Sequence, residues 1–533
     1  MATGSESVRS RPADQQTGAA DTAAAGQAHG GRRPWWIWAI PFVLLFVLLC
    51  ARNWFLFTTR LYEQGDSGAD SILIEQAKHF TLLIGSYSRE GFNHPGPAYL
   101  YVQALGEYLF LNALHVVPTA WNAHVLSVFA LDSAFLALAV GIVYGWTRSL
   151  AGAAACFAVF VGFAVAYPPI VNSDWMPYVY VPTYVVFLLA AGSVTAGRVP
   201  DLWIMALSGW FLIHGHACFL LFVPVITLTV LLVTAAGHRR AIRGSLRSFF
   251  ARQRKAWVPA AVISAVFAFP IVLNLALHWP GDFGKYISYG NSGLAGHYTA
   301  AQVADYALWF WWPHANAWVA PALLLVIALV VVTRFTPGPL RRFLAVLVAI
   351  NVVSTLAFVL YAAVGIDDLF SHYIGYFYWS APLIMVLIIV VGTVEALRRR
   401  SDALGTAVAA LAAAAVLIAL AVIPGTRTST SDINESLPGA VASLAARAHG
   451  RTITLELDHV VWPQAIGFLL QAERTGVHAC LDDPWYTFIV TKQFICTPQE
   501  LATGAGYAFY PPAVPPASAV ILRFKGVAVT EAS

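Results

Sequence analysis

The sequence predicts an all-helical polytopic membrane protein with a small α/β domain at its C-terminal end. Three observations support this prediction. The 533 residues have a mean hydropathy of +0.67, and only 11% of them are charged, against roughly 25% in soluble proteins. The apolar runs are about 20 residues long, which suits helices that cross a ~30 Å hydrocarbon layer. The last ~100 residues alternate instead between helix-like and strand-like stretches, and this length is sufficient for an independent domain.

The helical part is expected to span residues 34–425 and to cross the membrane about eleven times. Residues 1–33 precede it and are rich in Ala, Gly and Ser, so we expect them to be disordered and cytoplasmic. Asp132 falls inside the second span, where we expect it to face the interior and to be paired. The predicted spans are 34–57, 122–147, 151–169, 175–196, 200–216, 218–236, 257–278, 316–335, 341–365, 374–396 and 403–424.

The positive charges in the loops predict the orientation of the chain in the membrane. The apolar stretch 95–115 carries Gln103 and Glu107, so we expect it to lie in the outer interface without crossing. With eleven crossings, nearly every Arg cluster then falls on the cytoplasmic side, as the positive-inside rule requires. Outer loops are expected at 58–121 and 279–315. The Arg-rich loops and the Ala/Gly-rich N-terminus favour a bacterial inner membrane.

The C-terminal stretch 426–533 is expected to form an α/β domain on the outer side. It contains Cys480 and Cys496. An extracytoplasmic location favours a disulfide between them, with two free thiols as the alternative.

The first outer loop carries the most chemistry. It contains Glu63, Asp66 and Asp70, and we expect these acids to stand at the start of a helix over 72–84. A rigid Asn-His-Pro-Gly-Pro turn at 93–97 then leads into a second interfacial helix.

This order of features resembles the first outer loop of the GT-C superfamily, the polytopic glycosyltransferases that use polyprenyl-phosphate sugars. The likeness is to the branch of protein O-mannosyltransferases and lipid A aminoarabinose transferases. That branch has an acid after the first span, two juxtamembrane helices, and between them a Gly-polar-aromatic turn and a basic-Pro element. The matching positions are Asp66 or Asp70, a helix over 71–84, Gly85-Ser86-Tyr87, His94-Pro95 and a helix over 98–115.

The resemblance extends further along the chain. It places Asp174 at the outer end of the fourth span, although this segment also suits a helix N-cap. It places His214 and His216 in the turn between the fifth and sixth spans. In the large outer loop, it makes Lys285, Tyr286, His297 and Tyr298 candidates for contact with a lipid phosphate.

The resemblance implies inverting transfer of a sugar from a polyprenyl-phosphate donor to a glycan, lipid or protein acceptor at the outer face. We expect no metal site, although a divalent cation is possible, and no nucleic-acid partner. The expected catalytic residues are Asp66, Asp70 and Asp174. The expected substrate-binding residues are Glu63, Arg89, His94, His214, His216, Lys285, Tyr286 and His297.

Three other functions remain open from the sequence. These are a transporter or flippase of a lipid-linked saccharide, a lipid-linked glycan polymerase or ligase, and a non-catalytic membrane scaffold that displays the C-terminal domain. Transporters commonly contain repeated halves and ionisable groups near the bilayer midplane. This sequence has no visible repeat, and its acids concentrate at the outer face.

Overall fold

The computed structural model of this chain describes residues 33–237, 253–293, 296–311, 318–423, 425 and 427–532. The predicted disorder of the N-terminus and the most basic loop, 238–252, lie outside these residues. Helices account for most of the structure up to residue 423. They are α1 (Trp36–Arg52), α2 (Gly65–Lys78), α3 (Ala98–Gly106, extended by a π-helical segment Glu107–Ala113), α4 (Ala120–Thr147), α5 (Leu150–Ala166), α6 (Met176–Thr195), α7 (Leu202–Gly215), α8 (Phe219–Gly237), α9 (Arg254–His278), α10 (Gly281–Asn291), α11 (Ala300–Trp309), α12 (Val319–Val330, extended by Val331–Phe335), α13 (Gly338–Val364), α14 (Ser380–Arg400) and α15 (Asp402–Val422).

Seven helices in the described part of the chain are long and apolar enough to cross a membrane, which indicates a multi-pass membrane protein. They are α4, α6, α8, α9, α13, α15 and the helical run His372–Arg400 that includes α14. Three further apolar helices, α1, α5 and α12 with its extension, are shorter, and α7 has 14 residues. Each predicted span thus coincides with a helix, but only part of the set reaches full membrane length. The number of eleven crossings stays a prediction.

Asp132 lies on α4 and is fully buried, as expected. Neither of its carboxylate oxygens has a hydrogen-bond partner among the described residues. The expectation that Asp132 is paired is therefore wrong.

The residues after 436 form the expected small α/β unit. Its helices are α16 (Leu437–Ala448) and α17 (Trp462–Arg474), with short helices at Thr487–Val490 and Pro498–Thr503. Its strands are β1 (Ile453–Leu457), β2 (Ala479–Leu481), β3 (Ala505–Tyr510), β4 (Leu522–Phe524) and β5 (Val527–Glu531). They form one mixed sheet in the order β2-β1-β3-β5-β4, in which β1 runs parallel to β2 and β3, and β5 runs antiparallel to β3 and β4.

The disulfide between Cys480 and Cys496 is present, which confirms the favoured alternative. It joins the short strand β2 to the segment that follows the Thr487–Val490 helix. The bond closes a loop over a sequence separation of 16 residues. A closed loop of this size restricts the unfolded chain, so the bond should stabilise the sheet domain.

Replacing both Cys480 and Cys496 by Ser should therefore lower the stability of this domain by about 3 kcal/mol. Thermal unfolding of the purified protein with and without a reductant measures the effect. The matched control is Cys50→Ala, which removes a free thiol on α1. Equal melting of the wild type and the double variant would show that the bond does not brace the domain.

Helix α2 is shared by both parts of the molecule. Ala69 and Ile72 pack into the core of the sheet domain, whereas Leu73, Ile74 and Ala77 pack into the core of the helical domain. The chain was expected to become helical only at residue 72, with the acids in front of the helix. That boundary is wrong, because α2 begins at Gly65, which is already buried, and the predicted end at residue 84 is also wrong, because α2 ends at Lys78.

Candidate active site

Asp66 and Asp70 lie about one turn apart on α2. A spacing of four residues places their side chains on the same face of the helix. The carboxylate of Asp66 is fixed from both sides. The hydroxyl of Tyr87 donates to one oxygen, and Nε1 of Trp175 donates to the other at 2.8 Å. These two donors orient Asp66 and leave its charge close to Asp70.

Asp70 has the opposite environment. Its Oδ1 is buried and has no hydrogen-bond partner in the described structure. Burial raises the pKa of this carboxyl to about 7, and the charges of Asp66 and Asp174 raise it further, while the neighbouring Ser86 hydroxyl acts in the other direction. Asp70 is therefore a carboxyl that can exchange a proton near neutral pH.

Asp174 lies behind this pair. Its Oδ2 accepts hydrogen bonds from Ser67 Oγ at 3.0 Å and from Trp121 Nε1 at 2.8 Å. Burial raises the pKa of Asp174 as well. The alternative that it caps the following helix is wrong, because α6 begins at Met176 without a side-chain cap. Asp174 instead contacts the first turn of α2.

A hairpin over 85–94 faces α2. The amide of Gly85 donates to the carbonyl of His94, and the amide of His94 donates to the carbonyl of Ser86, both at 2.9 Å. Gly85 is required here, since a Cβ atom would come within 2.7 Å of the Gly96 carbonyl oxygen. Helix α10 contacts the same end of the hairpin, where the Tyr286 hydroxyl donates to the Asn93 carbonyl at 2.5 Å.

A cavity of 560 Å³ lies between α2, this hairpin and the helical domain. Its polar wall includes Asp66, Asp70, Arg89, His94, His216 and Tyr286 among the predicted residues. Its apolar wall comes from helices of membrane-spanning character and contains Leu220 and Leu221 of α8 and Val364 of α13. The cavity thus joins acidic groups to a surface suited to a lipid chain.

Arg89 is the cation of this cavity. Its Nη2 pairs with Asp367 at 2.5 Å, and its Nε pairs with Glu90 at 3.2 Å. The Arg89 side chain is 39% exposed, so an incoming anion could reach the guanidinium.

Burial lowers the pKa of His94 well below its ordinary value, and the centroid of its ring lies 4.3 Å from that of the His216 ring. We therefore regard His94 as a neutral hydrogen-bonding group.

The remaining predicted residues lie outside the wall of this cavity. His214 joins three elements, since Nδ1 accepts from the amide of Ala98 at 3.2 Å and Nε2 contacts the Phe267 carbonyl at 2.7 Å. Lys285 pairs with Asp282 and donates to the Gly91 carbonyl. His297 contacts the Gly293 carbonyl of its own loop. These contacts position the loops around the cavity.

Glu63 is 1% exposed and belongs to a closed ring of polar contacts between the two domains. Arg474 of α17 bridges Glu63 at 2.9 Å and Glu75 at 3.1 Å. Lys78 joins Glu75 to Glu107. The ring closes through three contacts: Glu107 with His124 at 3.0 Å, His124 with Ser71, and Ser71 with Glu63. Burial opposes the ionisation of Glu63, but Arg474 and His124 overcome it and hold its pKa below the ordinary value.

Several contacts of the site were not predicted from the sequence. Trp175 and Asp367 each bond a predicted residue, and Tyr87, expected only as the aromatic residue of the 85–87 turn, bonds Asp66. Arg474 lies about 400 positions beyond the acids that it binds. Only the three-dimensional fold brings such positions together. Within the described residues, no cluster of three or more His, Cys, Asp or Glu side chains is arranged to hold a metal ion.

A solved structure shares this fold. The chain superposes on ArnT from Cupriavidus metallidurans bound to undecaprenyl phosphate with a TM-score of 0.51, covering 93% of this chain and 97% of that one at 13% identity. The chain has the fold of ArnT, a lipid A aminoarabinose transferase of the GT-C superfamily. The predicted resemblance is thereby confirmed at the level of the fold.

Two other superpositions are weaker. The apo state of the same ArnT gives a TM-score of 0.42 at 14% identity, covering 95% of this chain and 98% of that one. An apo oligosaccharyltransferase from Archaeoglobus fulgidus gives 0.38 at 11% identity, covering 90% of this chain and 70% of that one. No protein-family model matches the sequence, and no curated protein matches it either. The ArnT-like assignment therefore concerns the fold, and the activity has to be argued from the site.

Proposed function

We propose that this protein is a membrane glycosyltransferase that moves a sugar from a polyprenyl-phosphate donor to an acceptor hydroxyl at the outer face of a bacterial inner membrane. One observation carries the proposal. The carboxyl of Asp70, whose buried Oδ1 has no hydrogen-bond partner among the described residues, and the oriented carboxylate of Asp66 share a 560 Å³ cavity with Arg89 and with apolar walls on α8 and α13. An acid pair, a cation and a lipid-compatible surface are the groups that such a transfer requires.

The polyprenyl chain is proposed to lie against Leu220, Leu221 and Val364. Its phosphate would then reach Arg89 and compete with Asp367 and Glu90 for the guanidinium. A planar guanidinium binds phosphate through two parallel hydrogen bonds, which makes Arg well suited to this contact. Stabilising the phosphate as it leaves lowers the barrier of the reaction.

Asp70 is proposed to act as the general base. The acceptor oxygen attacks the anomeric carbon, the bond from that carbon to the phosphate oxygen breaks, and polyprenyl phosphate leaves. The proton of the acceptor hydroxyl passes to Asp70, whose pKa of about 7 matches the demand for a base at neutral pH. Direct displacement inverts the anomeric centre. Asp66 is proposed to stabilise the positive charge that develops on the sugar, and Asp174 to hold α2 in place through Ser67.

The topology follows from the same proposal. With eleven crossings and a cytoplasmic N-terminus, α2, the 85–94 hairpin, α10 and the sheet domain all lie outside the cytoplasm. Lipid-linked sugars are the activated donors expected on that side, since nucleotide sugars are confined to the cytoplasm.

The function is tested by incubating purified, detergent-solubilised protein with a panel of polyprenyl-phosphate hexoses and pentoses and measuring the release of free polyprenyl phosphate. We expect release from at least one donor when a cell-envelope extract supplies the acceptor, and a labelled sugar should appear on the acceptor. The control is the Asp66→Asn, Asp70→Asn double variant. Release from no donor, or equal release by the double variant, would contradict the proposal.

A further inference from the structure

A second cavity lies between the sheet domain and the outer loop, beside the first one. It measures 810 Å³, within the ~300–1,000 Å³ typical of small-molecule sites. Its wall on the sheet domain contains Trp462, Trp485, Tyr486 and Phe488, together with His459 and Asp483. We call this cavity the aromatic cleft. Tyr87 and Arg89 of the outer loop line both cavities, so the two are adjacent.

From these observations we infer that the aromatic cleft binds a saccharide chain of the acceptor and leads its hydroxyl to the acids of the reaction cavity. The inference rests on the proposed function and names the class of acceptor. A sugar ring has an apolar face of C–H groups and a rim of hydroxyls. It therefore requires exposed aromatic faces with polar groups beside them, and the cleft provides both.

The aromatic faces are held in fixed positions. Trp485 is 55% exposed although it is a large apolar side chain. It packs edge-on against Phe488 with ring centroids 5.0 Å apart and against His459 at 5.5 Å. Trp462 meets Tyr87 edge-on at 6.5 Å. A rigid, exposed tryptophan offers a large contact area at a small cost in conformational entropy.

The polar groups suit hydroxyls better than they suit an anion or a membrane. Nδ1 of His459 is bonded to the Tyr486 hydroxyl at 2.9 Å, which fixes the ring. Asp483 accepts from the amide of Trp485 at 2.8 Å, so its carboxylate also has a fixed direction. Arg89 is the one cation in the described wall of the cleft, and Asp367 and Glu90 already pair with it. A carboxylate beside aromatic rings favours a neutral, hydroxyl-rich ligand over a lipid phosphate.

The shared Tyr87 links the cleft to the reaction cavity. The Tyr87 ring contacts Trp462 and Phe488 in the cleft, while its hydroxyl bonds Asp66 in the reaction cavity. A saccharide seated on Trp485 therefore extends past Tyr87 toward Asp66 and Asp70. An acceptor bound in this way brings its terminal hydroxyl near the proposed base, which removes most of the entropic cost of the encounter.

The test is direct binding to the intact detergent-solubilised protein, measured by isothermal titration and by saturation-transfer NMR. The probes are maltohexaose, mannohexaose, arabinohexaose and chitohexaose, with an unstructured polar peptide as a non-saccharide probe. We expect at least one oligosaccharide to bind, and Trp485→Ala to weaken that binding by about tenfold or more. The control is Trp35→Ala, which removes a tryptophan that is 78% exposed and precedes α1, at the opposite end of that helix from the outer loop. It should leave the affinity unchanged.

Three outcomes would overturn the inference: binding of no oligosaccharide, binding of the peptide alone, or equal affinity in Trp485→Ala. Because binding needs no turnover, its failure is distinct from a failure of the proposed function. Oligosaccharide binding through Trp485 in a protein that releases no polyprenyl phosphate would support the cleft and contradict the transferase. Sugar transfer that is unaffected by Trp485→Ala would support the transferase and contradict the cleft.

Discussion

Asp70→Asn should lower the rate of sugar transfer by about 10²- to 10⁴-fold, which is the usual contribution of a general base. The amide keeps the shape of the side chain but cannot accept the proton of the acceptor. The rate of polyprenyl phosphate release under single-turnover conditions measures the loss. A variant that keeps more than half of the wild-type rate would remove Asp70 from the mechanism.

The pH profile distinguishes Asp70 from its neighbour. A base works in its ionised form, so the wild-type rate should rise with pH through about 7 and level off above it. In Asp66→Asn the repulsion from Asp66 is lost, so this rise should move to lower pH. In Asp70→Asn the residual rate should no longer show it. A rise that persists in Asp70→Asn and vanishes in Asp66→Asn would identify Asp66 as the base.

Stability provides the folding control. The pKa of Asp70 is raised in the folded state, so ionising it costs stability, and this cost grows as pH increases from the unfolded pKa toward about 7. Asp70→Asn cannot ionise and avoids the cost. Its thermal midpoint above pH 7 should therefore equal or exceed that of the wild type. A lower midpoint would attribute the lost activity to misfolding.

Arg474→Met should destabilise the contact between the sheet domain and α2 by about 3 kcal/mol or more, because it leaves Glu63 buried without its cation. Chemical denaturation monitored by proteolysis of the sheet domain measures the change. Arg447→Met, on the more exposed surface of the same domain, is the matched control and should cost little. A similar loss in both variants would mean that the ring of charges contributes nothing specific.

The pH dependence of this contact has a defined sign. The pKa of Glu63 is held below its ordinary value in the folded state, so its contribution is present above the unfolded pKa and is lost as pH falls through the folded pKa. Arg474→Met should remove this acid-dependent part. Glu63→Gln with Arg474→Met should cost less than the sum of the two single changes. Additive losses would show that the two side chains are not coupled.

Much of the fold could be predicted because each helix that crosses a bilayer requires about 20 consecutive, mainly apolar residues. Each predicted span coincides with a helix, and the C-terminal stretch folds as the expected α/β unit. The start of α2 was missed for a specific reason. Six of the seven residues 65–71 are Gly, Asp or Ser, which are weak helix formers, and packing between two domains holds them helical.

The site itself was predictable only in part. The outer loop directed attention to Asp66, Asp70, Arg89 and His94 because charges there follow a recognisable order, and the structure brings all of them to one cavity. Glu63 is also an acidic residue of this loop, yet it pairs with Arg474. The difference depends on which side of α2 faces which domain. A local sequence contains no information on that choice, since the deciding partner lies in another domain.

The central claim is that the cavity between α2 and the 85–94 hairpin is the reaction site and opens to the outer face. Ser88 lines this cavity. The measurement uses Ser88→Cys in a protein whose free cysteines, Cys50, Cys156 and Cys218, are replaced by Ala. Sealed vesicles of right-side-out orientation are treated with a bulky membrane-impermeant thiol reagent, and polyprenyl phosphate release is then followed.

Labelling of Cys at position 88 should abolish release, and prior incubation with the donor should protect against labelling. The matched control is Ala442→Cys, an exposed position on α16 away from the cavity, where labelling should leave release intact. Full release from protein whose position 88 is completely labelled would show that the reaction occurs elsewhere. Labelling only after the vesicles are opened would show that the site faces the cytoplasm.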